Sequence, residues 1–212
     1  WTVYAVSETP ATDPSGAGAG CADATGRFLP LVCTSNAAKV LDTVRRLLDV
    51  DHATFDELAL DAALEGPVLL PYLDGERTPN RPDASGVLAG IRTDTTRAQL
   101  ARAAVDGVAC GLLDGMDALR NWTEVSGRVV LVGGGARSDA MQRVLAGMLG
   151  GEAVASTVDE AVATGAAVQA AAVLEQVDHA VIQERWGLGD GSPVEGIDVG
   201  DVRDRYAALR DA

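Results

Sequence analysis

The sequence predicts an α/β domain, and two observations carry the prediction. In the last third, short β-rich runs alternate with stretches of helical apolar spacing, an order that implies a parallel sheet segment covered by helices. In the middle, Leu100, Ala104, Val108, Leu112, Met116 and Leu119 mark one face of a long helix. The chain has 212 residues, 47% of them hydrophobic, enough for a single domain with its own core.

In chain order, Thr2 to Val6 and Arg27 to Val32 read as strands, expected to be antiparallel neighbours. Gly16-Ala17-Gly18-Ala19-Gly20 between them reads as a strand connection, because no amphipathic helix follows it as a dinucleotide loop requires. Ala37, Val40, Leu41, Val44 and Leu48 predict a helix over 36–48, and a second short helix is expected over 54–64. An apolar strand over 67–72 runs into the polar loop Asp74-Gly75-Glu76-Arg77-Thr78-Pro79, a functional candidate because connections carry sites. Thr96 with Gln99 forms a capping-box pattern at the start of the long helix. Gly107, Gly111 and Gly115 recur along that helix although each costs about 0.8–1 kcal/mol relative to alanine, so a closely packed neighbour is expected there. Then come a strand over 129–132, a glycine turn, a helix over 138–149, a strand near Ala153-Val154 and a helix over 159–174, with Thr157 and Glu160 as a second capping-box pattern. The segment 188–212 reads as a peripheral, Gly-rich and acidic tail closing with a helix over 202–209.

A net charge of −14 argues against a nucleic-acid partner, which would need a basic patch to neutralise phosphates. No run approaches the about 18 apolar residues of a membrane span, so no membrane contact and a cytoplasmic location are expected. Cys21, Cys33 and Cys110 form no C-x-x-C pair and are expected as reduced thiols. His52 and His179 read as surface residues rather than as zinc ligands or triad members, and no metal-ligating set is expected. Lys39 is the only lysine and lies in no G-x-x-x-x-G-K-[ST] pattern, which excludes a P-loop.

The chemistry-bearing segment is the strand 129–132 with Gly133, Gly134, Gly135, Ala136, Arg137, Ser138 and Asp139. Glycines admit a ligand close to the backbone, and the N–H groups that open the following helix suit an anion or an acceptor atom. Read from the residues alone, this turn would take phosphates, or would be a tight βα turn that binds nothing.

Gly133-Gly134-Gly135-Ala136-Arg137-Ser138, Asp159-Glu160-Ala161-Val162-Ala163-Thr164-Gly165-Ala166-Ala167 and Pro71-Tyr72-Leu73-Asp74-Gly75-Glu76-Arg77-Thr78-Pro79 resemble, in order and spacing, the C-terminal half of the FGGY family of carbohydrate kinases. Gly-Glu-Arg-Thr-Pro at 75–79 resembles the xylulose kinases in particular. The resemblance implies an actin-like, ribonuclease-H-like α/β domain with a mixed sheet flanked by helices, residues 1–212 forming the nucleotide-side domain. It implies ATP and Mg²⁺ as cofactors, ATP/ADP and a ketose as partners, and phosphorylation of D-xylulose in the intact protein. Ribulose, gluconate or glycerol as substrate stays open, as does a non-catalytic nucleotide-binding or interaction module. By the same resemblance the turn Gly133 to Ala136, with Arg137 and Asp139 beside it, lies against the adenosine end of the nucleotide. Gly90, Thr93 and Asp94 match a second, weaker contact, although Thr93-Asp94 departs from the Arg-Gly pair of glycerol kinases. The family's catalytic aspartate, its sugar pocket and the main Mg²⁺ contacts are expected outside these residues, so no catalytic residue is assigned and the chain alone is expected to be inactive. The apolar face left uncovered is then expected to drive some self-association into a homodimer.

Overall fold

The β-rich runs at the start of the chain pair as expected, but the glycine-rich segment between them joins the sheet. In the computed structural model, which describes residues 1–189 and 191–212, β1 (Thr2–Tyr4) lies antiparallel to β3 (Phe28–Cys33). β2 (Gly18–Ala22) pairs with the other edge of β3, so part of the stretch expected as a connection is a strand. The reason is packing. A Cβ placed at Gly18 would lie 2.4 Å from Cζ2 of Trp122, so the absence of a side chain lets the indole cover this edge strand.

α1 (Ala38–Leu47) and α2 (His52–Asp61) follow, the latter capped by Asp51, whose carboxylate accepts from the Thr54 amide at 2.9 Å. β4 (Val68–Leu70) and β5 (Val87–Ala89) form an antiparallel pair. α3 (Arg97–Arg120) is the axis of the fold. Its capping box forms as expected, with the Gln99 amide donating to Thr96 Oγ1 at 3.2 Å and the Thr96 amide donating to Gln99 Oε1 at 2.9 Å. From Ala101 to Leu113 every residue is buried, because α1, α2, β4 and α4 (Asp139–Leu149) surround it. Its one-face periodicity therefore understates its burial, since small residues fill the remaining faces.

The close neighbour expected for the glycine stripe exists at one position above all. A Cβ at Gly107 would lie 2.4 Å from the Leu69 carbonyl oxygen of β4, whereas at Gly111 the nearest atom would be Tyr206 Oη at 3.7 Å. Inside the helix, Arg102 and Asp106 form an ion pair of 2.7 Å with side chains only 5% and 10% exposed.

β6 (Val129–Leu131) runs parallel to β7 (Ala153–Ser156), and β8 (Gly191–Pro193) lies antiparallel on β7, giving a mixed sheet. The described strands thus form three separate hydrogen-bonded sheets around the helices. α5 (Ala161–Glu175) starts after Glu160 without a side-chain cap, so the second capping box does not form. It packs with α6 (His179–Arg185) in a small cluster of Val168, Ala172 and Ile182. Within the segment 188–212, α7 (Val202–Arg210) lies against β4 and α3 and buries Val202 and Tyr206. No described helix is long and apolar enough to cross a membrane.

Candidate functional site

The glycine turn sits where β6 hands over to α4. Gly133 has φ +90°, a conformation that only glycine adopts without strain, and it reverses the chain out of the strand. Residues Gly134–Arg137 then coil into one 3₁₀ turn, closed by the Ala136 amide donating to the Gly133 carbonyl at 3.0 Å. Ser138 caps α4, its Oγ accepting from the Met141 amide at 3.1 Å. Gln142 Nε2 reaches back to the Ala136 carbonyl at 2.6 Å and holds the turn from below.

The three glycines differ in what they face. A Cβ at Gly133 or Gly134 would meet nothing within 4 Å, so the backbone there is open to a ligand. A Cβ at Gly135 would lie 2.0 Å from Cζ2 of Trp1, so this glycine is required for the indole to rest on the turn. Ala136 is buried beneath.

Around the turn, charge is arranged in two pairs. Arg137 Nη2 donates to Asp159 Oδ1 at 3.1 Å, which joins the Gly-Gly-Gly-Ala-Arg-Ser and Asp-Glu-Ala segments that are 22 residues apart. With side chains 65% and 83% exposed, this ion pair is worth little in stability and leaves Arg137 free to move. Asp139 Oδ2 lies 3.7 Å from Arg143 Nη1, one turn along α4. Across from both, Asp56 of α2 accepts from Ser138 Oγ at 2.7 Å and from the Asp139 amide at 2.8 Å.

The second expected segment is placed elsewhere in the fold. Gly90 ends β5 with φ +80°, beside Pro67, and Thr93 and Asp94 form an exposed turn ahead of α3. Arg92 Nε lies 3.9 Å from Asp94, and the Arg92 amide donates to Thr95 Oγ1 at 2.8 Å. Among the described residues, no hydrogen bond or ion pair links this segment to Gly133–Asp139. In the polar loop, Glu76 does not pair with the Arg77 guanidinium. Its buried carboxylate accepts from the Ser35 amide at 2.6 Å, the Arg77 amide at 2.7 Å and Asn36 Nδ2 at 3.0 Å, which pins the loop to the end of β3.

Sequence reasoning missed Trp1 and Asp56. Neither carries a local signal: Asp56 is one acidic residue on a short helix, 82 positions before Ser138.

The mixed α/β layout, with a glycine turn joining β6 to α4, is an actin-like domain of the kind found in sugar kinases. The chain belongs to the FGGY family of carbohydrate kinases, whose C-terminal domain model matches residues 6–174. It is 41% identical over 198 residues to the xylulose kinase of Streptomyces rubiginosus, a match covering 93% of this chain and 40% of that protein. Among solved structures, the xylulose kinase of Bifidobacterium adolescentis matches with a TM-score of 0.79 and 37% identity over 99% of this chain and 41% of the other. That of Brucella ovis matches in fold, with a TM-score of 0.87 at 23% identity, over 99% of this chain and 45% of the other. The chain therefore spans about two fifths of the length of the relatives it matches.

Proposed function

We propose that this chain is the nucleotide-side domain of an ATP-dependent sugar kinase that converts D-xylulose to D-xylulose 5-phosphate in the intact protein. The observation that carries the reading is the open backbone at Gly133 and Gly134, set in a chain that is xylulose-kinase-like along most of its length. A flat nucleoside can lie against those two residues, with Asp139 at its edge, Ala136 supporting the turn from beneath, and Arg137 able to leave Asp159 and flank it. Gly90, Thr93 and Asp94 are carried as a second, weaker nucleotide contact. ATP supplies the transferable phosphoryl group, and Mg²⁺ neutralises its phosphates.

Catalysis is assigned to the remainder of the kinase, and this chain by itself is proposed to be inactive. The surface of α5 supports a partner domain. From Ala161 to Leu174 the helix has no charged residue, yet Val162, Val173 and Leu174 are 91%, 77% and 83% exposed. Such a face is costly in water and is proposed to pack against the rest of the kinase.

The test is an amide-resolved NMR titration with Mg-ADP. Gly134→Val suits it, because Gly134 lies outside the left-handed region and faces open space, so the substitution blocks the ligand without straining the fold. Mg-ADP should shift the amides of 133–139, and Gly134→Val should weaken binding by about tenfold or more, equivalent to about 1.4 kcal/mol. Unchanged affinity in Gly134→Val removes the turn from the site. Turnover of D-xylulose by the chain alone removes the assignment of catalysis to another domain.

A further inference from the structure

We propose that Asp56 is a positioning residue of this site: it ties the glycine turn to α2 and closes the start of α4 to phosphate, so that the turn takes only the uncharged end of a nucleotide. The proposal rests on the nucleotide reading above.

The first amides of a helix have no partner within it, and together with the helix dipole they form a ready site for an anion. At α4 two of those donors are already committed. The Asp139 amide donates to Asp56 Oδ2 at 2.8 Å, and the Met141 amide donates to Ser138 Oγ at 3.1 Å. The Ser138 hydroxyl in turn donates to Asp56 Oδ1 at 2.7 Å, which turns its lone pairs towards the helix. One carboxylate from α2 therefore takes one amide directly and orients the side chain that takes another.

Asp56 is held firmly enough to do this. Its neighbour Phe55 is 3% exposed and Ala59 is fully buried, and α2 packs against both α3 and α4. The carboxylate of Asp56 occupies the place a phosphate would take at the Asp139 amide. A phosphate arriving there would have to displace that carboxylate or lie next to it. A nucleoside faces no such penalty. The open backbone at Gly133 and Gly134 is the surface left to it.

The experiment compares adenosine, Mg-ADP and inorganic phosphate as NMR titrants of the wild-type chain and of Asp56→Asn. The substitution removes the charge and keeps one acceptor oxygen. In the wild type, adenosine and Mg-ADP should bind with similar affinity, and inorganic phosphate should leave the amides of 139–141 unmoved. In Asp56→Asn, phosphate should shift those amides, and the preference for Mg-ADP over adenosine should rise about two- to fivefold, the effect of one charge at a helix N-terminus. Asp56→Glu should restore the wild-type exclusion, which a loss of mere structural support would not do. An unchanged preference and no phosphate response in Asp56→Asn overturn the proposal. If neither nucleotide ligand binds the wild type, the nucleotide reading fails, and the phosphate comparison still decides the role of Asp56. Should Asp56→Asn fail to fold, hydrogen exchange in the wild type decides: an Asp139 amide as slow as that of Met141 is expected, and exchange at the open-chain rate overturns the anchoring.

Discussion

Replacing Gly107 or Gly111 by alanine makes the same chemical change four residues apart on α3, and the structure predicts opposite outcomes. Both substitutions gain about 0.8–1 kcal/mol of helix propensity. At Gly111 the added methyl would lie 3.7 Å from Tyr206 Oη, an ordinary contact, so the gain survives and Gly111→Ala should stabilise the chain by about 0.5–1 kcal/mol. At Gly107 the methyl would lie 2.4 Å from the Leu69 carbonyl oxygen, and relief to 3.4 Å requires α3 and β4 to part by about 1 Å. The obstructing atom is backbone and cannot rotate aside. Overpacking of this kind costs about 1–3 kcal/mol, with the upper part of the range expected against a fixed carbonyl, so Gly107→Ala should be destabilising by about 1–2 kcal/mol net. Urea unfolding followed by circular dichroism should separate the two variants by about 1.5–3 kcal/mol, and thermal unfolding by roughly 3–12 °C for a chain of this size. Equal midpoints, or a Gly107→Ala variant as stable as the wild type, would refute the close approach as the reason for that glycine.

Four further outcomes are expected. Asp106→Ala should cost about 3–5 kcal/mol in urea unfolding, since it leaves Arg102 buried and uncompensated, whereas Arg102→Met with Asp106→Leu should recover most of the loss. Burial raises the Asp106 carboxyl above its ordinary 3.8, with Arg102 opposing, so its share of stability is full below that value and falls as pH rises through the folded-state value; Asp106→Asn should remove this component from the pH profile. Burial pushes the Cys110 thiol up to about 12, so iodoacetamide at pH 8 should modify exposed Cys21 and spare Cys110 until urea unfolds the chain, read by peptide mass spectrometry. Finally, the chain should self-associate in sedimentation velocity as its concentration rises, and Val173→Glu with Leu174→Glu should keep it monomeric without lowering its melting temperature.

Elements long enough to show a period were legible in the sequence: α3 and α4 both carry the period expected of them, and α3 carries its capping box, whereas the box expected at Thr157 and Glu160 does not form. β5 and β8 are three residues each, and β8 reads Gly-Ser-Pro, a composition with no strand preference; its pairing with β7 is a tertiary effect. The β2 strand was hidden for a related reason, because its first residue, Gly18, is there to admit Trp122. At the candidate site, the glycine turn was visible as a local string, while the groups that set its electrostatics come from afar. Asp159 reaches Arg137 across 22 positions and Asp56 reaches Ser138 across 82, and no window of sequence contains both partners. The chemistry inferred for the start of α4 therefore changes once the fold brings a second carboxylate to it.

The docking of α7 sets an order on how the chain reaches its native state during synthesis. Tyr206 is fully buried against the layer of Val68, Leu70, Tyr72 and Cys110, and Arg205 donates to the carbonyls of Gly66 and Leu64 at 2.8 and 3.1 Å. The Gly66 and Leu64 carbonyls leave the ribosome 139 and 141 residues before Arg205, about 7–28 s at synthesis rates of about 5–20 residues per second. Throughout that interval the outer flank of the long helix and β4 stays wet, and a nascent chain stalled before Arg205 presents an apolar strip to chaperones. The last helix is thus the event that commits the domain, and truncations within it should appear in cells first as lost yield.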